Sequence, residues 1–177
     1  MKRATAKTLT TLTIMAFFGM NLGAEPLEVG AEAPAFTAVD ETGGSVNLGE
    51  VYDRGLTLVY FYPKANTPGC TAQACSLRDS IADLREDGVT VLGVSHDSPK
   101  AQMKFKEAYD LPFTLIADAD GKVIEAFGVP TMPTGASKRQ SFLIKDGKVA
   151  WRSLKAETKG HADEVRKAVA EVSGSES

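Results

Sequence analysis

Hydrophobic and polar positions follow one another along this chain in a readable order of strands and helices. Leu56-Thr57-Leu58-Val59-Tyr60-Phe61-Tyr62 is an almost unbroken β-prone run, the pattern of a strand covered on both faces, and Pro63 ends it. From Cys70 onward, Ala74, Leu77, Ile81 and Leu84 recur at helical spacing until Asp87-Gly88 stops the helix. Val89 to Ser95 repeats the buried-strand pattern. Asp97-Ser98-Pro99 supplies a capping side chain and a proline at the first helical position, with Ala101, Phe105 and Ala108 as the buried stripe of the next helix. Phe113 to Ala117 is a further strand, and Asp118-Ala119-Asp120-Gly121 is a turn. Lys122 to Phe127 fits a short helix and a strand equally well, and Val129 to Lys138 reads as loop.

The two ends complete the pattern. Gln140 to Ile144 and Lys148 to Trp151 flank Lys145-Asp146-Gly147, a strong hairpin signal. His161 to Val172 is an amphipathic helix carrying Ala162, Val165, Val169 and Val172 on one side, and Ser173 to Ser177 reads as a disordered tail. Upstream, Thr37-Ala38-Val39 and Ser45-Val46-Asn47-Leu48 flank Glu41-Thr42-Gly43-Gly44 as a small N-terminal β-hairpin. The order βαβα, then an antiparallel hairpin and a helix, predicts an α/β protein with a central mixed sheet and helices on both faces. That arrangement resembles a thioredoxin-like fold.

The chemistry gathers in the loop between the first long strand and the first helix. Both cysteines, Cys70 and Cys75, lie there, five residues apart, and Cys70 stands where the helix begins. A helix N-terminus carries unsatisfied N–H groups and the positive end of the macrodipole, and a thiol placed there ionises more readily. Thr67, three residues earlier, is placed to aim its hydroxyl back at the sulfur, and Pro68-Gly69 shape the tight approach. In an ideal helix a five-residue separation is a rise of about 7.5 Å and a Cα distance of roughly 8.6 Å. That exceeds the ~4.4–6.8 Å of ordinary disulfides. The two cysteines cannot bridge while the helix is intact, which disfavours a constitutive structural disulfide. A thiolate that attacks a peroxide becomes a sulfenic acid and condenses with a second thiol, and Cys75 is the other thiol in the chain. The residues alone leave two further readings open: a thiol–disulfide exchange enzyme on the same fold, and a binding module with inert thiols.

Pro63-Lys64-Ala65-Asn66-Thr67-Pro68-Gly69-Cys70 resembles the peroxiredoxin active-site pattern of Pro, three residues, Thr, two residues, Cys. With Cys75 following, the chain is similar to the peroxiredoxin Q branch, also called bacterioferritin comigratory protein. The likeness runs on through Ala33-Pro34-Ala35-Phe36, Leu77-Arg78-Asp79, Val91 to Ser95 and Arg139 to Ile144, nearly all of the chain after the first two dozen residues. The resemblance implies a thiol-dependent peroxidase reducing hydrogen peroxide and organic hydroperoxides. It makes Cys70 the peroxidatic cysteine, Cys75 the resolving cysteine of the same subunit, Thr67 a hydrogen-bonding partner of sulfur and peroxide, Pro63 a shield against water, and Arg139 the cation that holds the thiolate. It further implies no metal, haem or flavin, re-reduction by a thioredoxin-like donor, and a monomer. Pro130 to Lys138 is short for this branch.

Composition changes the picture at one end only. The 177 residues, 43% hydrophobic and 24% charged, suit one domain of ordinary size. Lys2, Arg3 and Lys7 precede an apolar, Thr-rich run from Leu9 to Leu22, and Leu22-Gly23-Ala24 ends in a small residue before Glu25-Pro26. Residues 1–24 therefore read as a secretory signal peptide, with an uncleaved membrane anchor as the alternative, and 25–177 as the working domain, exported and periplasmic, with no stable membrane association after cleavage. Removing three basic and no acidic residues takes the net charge from −3 to −6. That balance excludes nucleic acid as a partner class. Two histidines and no cysteine quartet give no metal-binding pattern.

Overall fold

The structure, a computed structural model, describes residues 25–174, so the expected signal peptide lies outside the described residues. Strands β1 (Thr37–Val39) and β2 (Ser45–Asn47) pair antiparallel as the expected hairpin. Leu48 does not extend β2. Asn47 turns the chain by accepting the Glu50 N–H at 3.4 Å, and Leu48 opens a short helix α1 (Leu48–Tyr52) that the sequence pattern did not signal.

β3 (Thr57–Phe61) is buried at every position, as its composition requires. It lies at the centre of a five-stranded sheet with β4 (Thr90–Ser95) and β5 (Thr114–Ala117) parallel on one side. On the other side β6 (Gln140–Lys145) and β7 (Lys148–Ser153) run antiparallel. The turn between β6 and β7 is Asp146-Gly147, with φ of 50° and 73°, the left-handed pair that a two-residue hairpin demands. Leu58, Tyr60, Tyr62 and Leu143 face one core, and Val59, Phe61, Phe142 and Ile144 face the other.

The helical run from Cys70 to Leu84 is two helices, α2 (Pro68–Asp79) and α3 (Ile81–Glu86), separated where Ser80 leaves helical geometry at φ −107°, ψ 12°. Leu77 and Leu84 still reach the same core. In α4 (Pro99–Ala108) the inward residues are Gln102 and Phe105, whereas Ala108 is exposed. Gln102 tolerates burial because its amide donates to Ser95 Oγ at 3.0 Å and to the Ile116 carbonyl at 2.9 Å. The ambiguous segment is a helix, α5 (Lys122–Ala126). The Asp118 carboxylate accepts the N–H groups of Val123 (3.0 Å) and Ile124 (2.8 Å), which stabilises a helical first turn over a strand. Residues 129–138 fold back on themselves, with Lys138 N–H on the Pro130 carbonyl and a bridge between Thr131 and Ser137.

The last helix, α6 (His161–Gly174), runs two residues beyond Val172, into the stretch expected to be disordered. It packs against α2, and the Ser76 hydroxyl accepts the Ala162 N–H at 3.1 Å. His161 is wholly buried between Ser141 Oγ (3.1 Å) and Glu164 Oε2 (3.2 Å). A carboxylate only accepts, so Nδ1 carries the proton toward Glu164 and Nε2 takes the Ser141 hydroxyl when the ring is neutral. Partial burial pushes the Glu164 carboxyl up. Hydrogen bonds from His161, Ser153 and the Glu157 N–H outweigh this and bring its pKa from the usual 4.5 down to about 2. A carboxylate whose folded pKa is depressed contributes stability above its unfolded pKa and loses it as pH falls through the folded one. Chemical denaturation should therefore give a stability that declines between pH 4.5 and about 2. Glu164→Gln should flatten that decline; an equally steep decline in the variant would contradict the assignment.

Candidate active site

β3 delivers the chain to Tyr62 and then to a loop, 63–67, on which the site is built. The loop is tied from behind by a buried polar chain. Asp97 Oδ2 accepts the Ala65 N–H at 2.8 Å and the Ser95 hydroxyl at 2.7 Å, Gln102 binds Ser95, and the Tyr62 hydroxyl donates to Gln102 Oε1. Asn66 takes a left-handed conformation, φ 57°, which asparagine tolerates better than most residues. Pro63 is half-buried and lines a cleft of about 400 Å³ with Lys64, His96, Asp97 and residues 134–136.

Thr67 is the N-cap of α2 by its backbone, φ −99° and ψ 150°, but its side chain makes no capping bond. Its hydroxyl donates to the Lys64 carbonyl at 2.9 Å rather than to the sulfur, because that carbonyl lies within reach three residues back. Pro68 has no N–H, so the amides of Gly69 and Cys70 form the uncapped positive end of the helix. Cys70 sits in this first turn, 1% exposed. Cys75 lies on the same helix, half-buried, and both thiols are free.

Arg139 comes from the start of β6, 69 residues away in sequence, and its Nη2 lies 3.4 Å from Cys70 Sγ. Antiparallel pairing of β6 with β3 sets this approach: Gln140 is opposite Phe61, so Arg139 falls beside the active-site loop. The folded-back segment 129–138 leads directly into it, pinned by Ser137 Oγ donating to the Tyr62 carbonyl at 2.9 Å. The structure thus brings Cys70 and Arg139 into contact, places Thr67 and Pro63 on the loop beside them, and leaves Cys75 down the helix.

One neighbour was not singled out from the sequence, and a second, Tyr60, was expected only as core or pocket wall. Gln73, fully buried, accepts Arg139 Nη1 with its Oε1. The only hint in sequence is a polar residue one turn after Cys70 on a face that continues with Ala74 and Leu77. Tyr60 is also fully buried, with no hydrogen-bond partner for its hydroxyl among the described residues. Burial above all raises its phenol well beyond the ordinary value, with Tyr62 and Cys70 adding to the effect. Gly93, opposite Tyr60 on β4, leaves room for that ring: a Cβ there would meet the hydroxyl at 2.7 Å.

A thioredoxin-like sheet with a free thiol in the first turn of a helix, and a guanidinium on it, defines the class of thiol-based oxidoreductases. Residues 29–152 match the AhpC/TSA family, and the chain belongs to it. Peroxiredoxin Bcp of Escherichia coli strain K12 is 44% identical over 147 residues, covering 79% of this chain and 94% of that protein. A putative peroxiredoxin bcp of Coxiella burnetii is 41% identical, covering 78% and 96%. Among solved structures, Mycobacterium tuberculosis peroxidoxin BcpB superposes with a TM-score of 0.76 at 33% identity, over 84% of this chain and 97% of that one. Xanthomonas campestris bacterioferritin comigratory protein gives 0.72 at 26% identity, over 84% and 99%. This chain is a thiol-dependent peroxidase.

The geometry makes Gly69 a sensitive position. A Cβ there would stand 3.3 Å from Arg139 Nη2, so the guanidinium must yield by a few tenths of an ångström. Gly69→Ala should leave thermal stability unchanged or raised, since alanine suits a helix better than glycine. It should slow the reaction of Cys70 with an alkylating agent several-fold. Unchanged alkylation would mean that Arg139 accommodates the methyl without leaving the sulfur.

Proposed function

We propose that Cys70 is the attacking thiolate and Cys75 the thiol that resolves it. The observation that carries this reading is the 3.4 Å contact between Arg139 Nη2 and a sulfur set in the uncapped first turn of α2. Both features favour negative charge on that sulfur. Cys70 S⁻ attacks the terminal oxygen of R–O–O–H, the O–O bond breaks, and a sulfenic acid forms as the alkoxide leaves and takes up a proton. Arg139 and the first-turn amides are the donors available to that developing charge. Pro63 shields the loop that carries the site, and Thr67 contributes its backbone to the first turn of α2.

The thiol of Cys75 then attacks the sulfenic sulfur, a disulfide forms and water leaves. Ideal helix geometry sets the two Cα atoms roughly 8.6 Å apart, so α2 must unwind for this step. A dithiol donor of the thioredoxin type supplies the two electrons that restore both thiols, as the family relationship supports. The substrates are hydrogen peroxide and organic hydroperoxides. The protein acts as a monomer in the periplasm; the basic start and apolar run of residues 2–22 support export.

The test is peroxide consumption by the reduced chain beside Cys70→Ser and Cys75→Ser, with a thioredoxin system as donor. Cys70→Ser should abolish consumption, and Cys75→Ser should stop after one turnover with a sulfenic acid on Cys70. A reaction with peroxide no faster than that of a free thiol would overturn the reading and favour an exchange enzyme.

A further inference from the structure

The last helix begins without a capping side chain of its own. The Glu164 N–H donates to the Gly160 carbonyl at 3.1 Å, the first bond within α6, so Gly160 occupies the capping position and has no side chain to offer. The amide that such a side chain serves is two residues on, that of Ala162. Ala162 is 3% exposed, and a buried donor left unmade is costly. His161 before it is wholly buried between Ser141 Oγ and Glu164 Oε2, which fixes the first turn of α6 against β6. The acceptor for Ala162 comes from another helix: Ser76 Oγ on α2, at 3.1 Å and 86 residues away in sequence.

Ser76 directly follows Cys75. Ideal helix geometry sets the Cα atoms of Cys70 and Cys75 roughly 8.6 Å apart, and an ordinary disulfide tolerates up to about 6.8 Å. The pair must therefore close by about 2 Å or more before the sulfurs can join. Arg139 lies against Cys70 Sγ at 3.4 Å and holds that end of the helix. The Cys75 end is the one that moves, and its neighbour moves with it, since adjacent Cα atoms stay ~3.8 Å apart. A hydrogen bond of 3.1 Å does not survive a displacement of about 2 Å.

We propose that Ser76 is a positioning residue that caps α6 from α2, and that this shared cap breaks each time Cys75 leaves the helix to meet the sulfenic sulfur. It acts through the position of Cys75 and touches none of the reacting atoms. The tie slows the step in which the Cys75 thiol attacks the sulfenic sulfur, an S–S bond forms, the S–O bond breaks and water leaves. Slower resolution leaves the sulfenic acid open to a second peroxide, which passes it one oxygen to give the sulfinic acid and departs as water. The proposal rests on the roles given above to Cys70 and Cys75.

The test compares Ser76→Thr with Ser76→Val in the full reduced chain. The two side chains share a shape and nearly a helix propensity, and only threonine carries the acceptor. After one equivalent of hydrogen peroxide, acid-quenched samples are resolved by mass spectrometry into thiol, sulfenic acid and disulfide. Loss of the Cys70 thiol should run at one rate in the parent and both variants. Disulfide should form about fivefold faster in Ser76→Val than in Ser76→Thr, the scale of one lost helix cap, with Ser76→Thr matching the parent. Under excess peroxide Ser76→Val should accumulate several-fold less sulfinic acid. Hydrogen exchange at the Ala162 amide, read by NMR on the reduced protein, should be faster in Ser76→Val than in the other two. Disulfide formation at one rate in all three, or Ala162 exchange indifferent to the hydroxyl, would overturn the proposal. Circular dichroism checks that each variant folds, and Ser76→Ala replaces Ser76→Val should that one fail. A chain that ignores peroxide would defeat the peroxidase cycle proposed above, while Ala162 exchange would still read the shared cap.

Discussion

A sulfur sealed from solvent is costly to charge, and the rest of the site is arranged around that cost. Cys70 is 1% exposed, so bulk water does little to stabilise an anion there. Two things stand in for water: the uncapped first-turn amides of α2 and the guanidinium of Arg139. The first is local, a consequence of Pro68 lacking an N–H and of Thr67 turning its hydroxyl to Lys64. The second is long-range and depends on the whole sheet being in register.

That division explains why so much of the fold converges on one loop. β3 is central and buried on both faces, so the loop starts from a strand paired on both sides. Asp97, Ser95, Gln102 and Tyr62 hold the loop from the β4 side. Ser137 and Arg139 hold it from the β6 side. The link to α6, by contrast, runs through Ser76, the residue next to Cys75. α2 is thus held at its first turn by Arg139, and along its second half by Ser76, by the buried Leu77 and by Arg78, whose Nη1 donates to the Tyr109 carbonyl at 2.9 Å. Its second half meets α6 through the Ser76 hydrogen bond and through apolar contacts.

Much of this was legible in the sequence because it is periodic or punctuated. β3, β4, the β6–β7 hairpin and the start of α4 follow from apolar runs, Asp-Gly and Ser-Pro. The cysteine loop was legible as a motif, through Pro63, Thr67, Cys70 and Cys75. What escaped depends on side chains reaching across the chain. α5 was ambiguous because the groups that cap it are the two oxygens of Asp118, five and six residues from their partners. A lone glutamine in a helix reads as surface, so Gln73 was invisible until Arg139 was seen to lie against it. Arg139 itself, one of 20 basic residues, is chosen by strand pairing, and only the family resemblance pointed to it beforehand. Of the stripe expected along α4, Phe105 is inward, whereas Ala108 is exposed and Gln102, its amide satisfied by Ser95 and the Ile116 carbonyl, is buried instead.

The central claim is that the reduced fold activates Cys70 by keeping α2 helical and completes its cycle by letting α2 open. Hydrogen–deuterium exchange over residues 68–79, compared between reduced and peroxide-oxidised protein, tests it most directly. The account predicts protection of this helix when reduced, and rapid exchange once a Cys70–Cys75 disulfide has formed, with β3 and β4 protected in both states. Equal protection of residues 68–79 in a protein shown by mass spectrometry to carry that disulfide would contradict it.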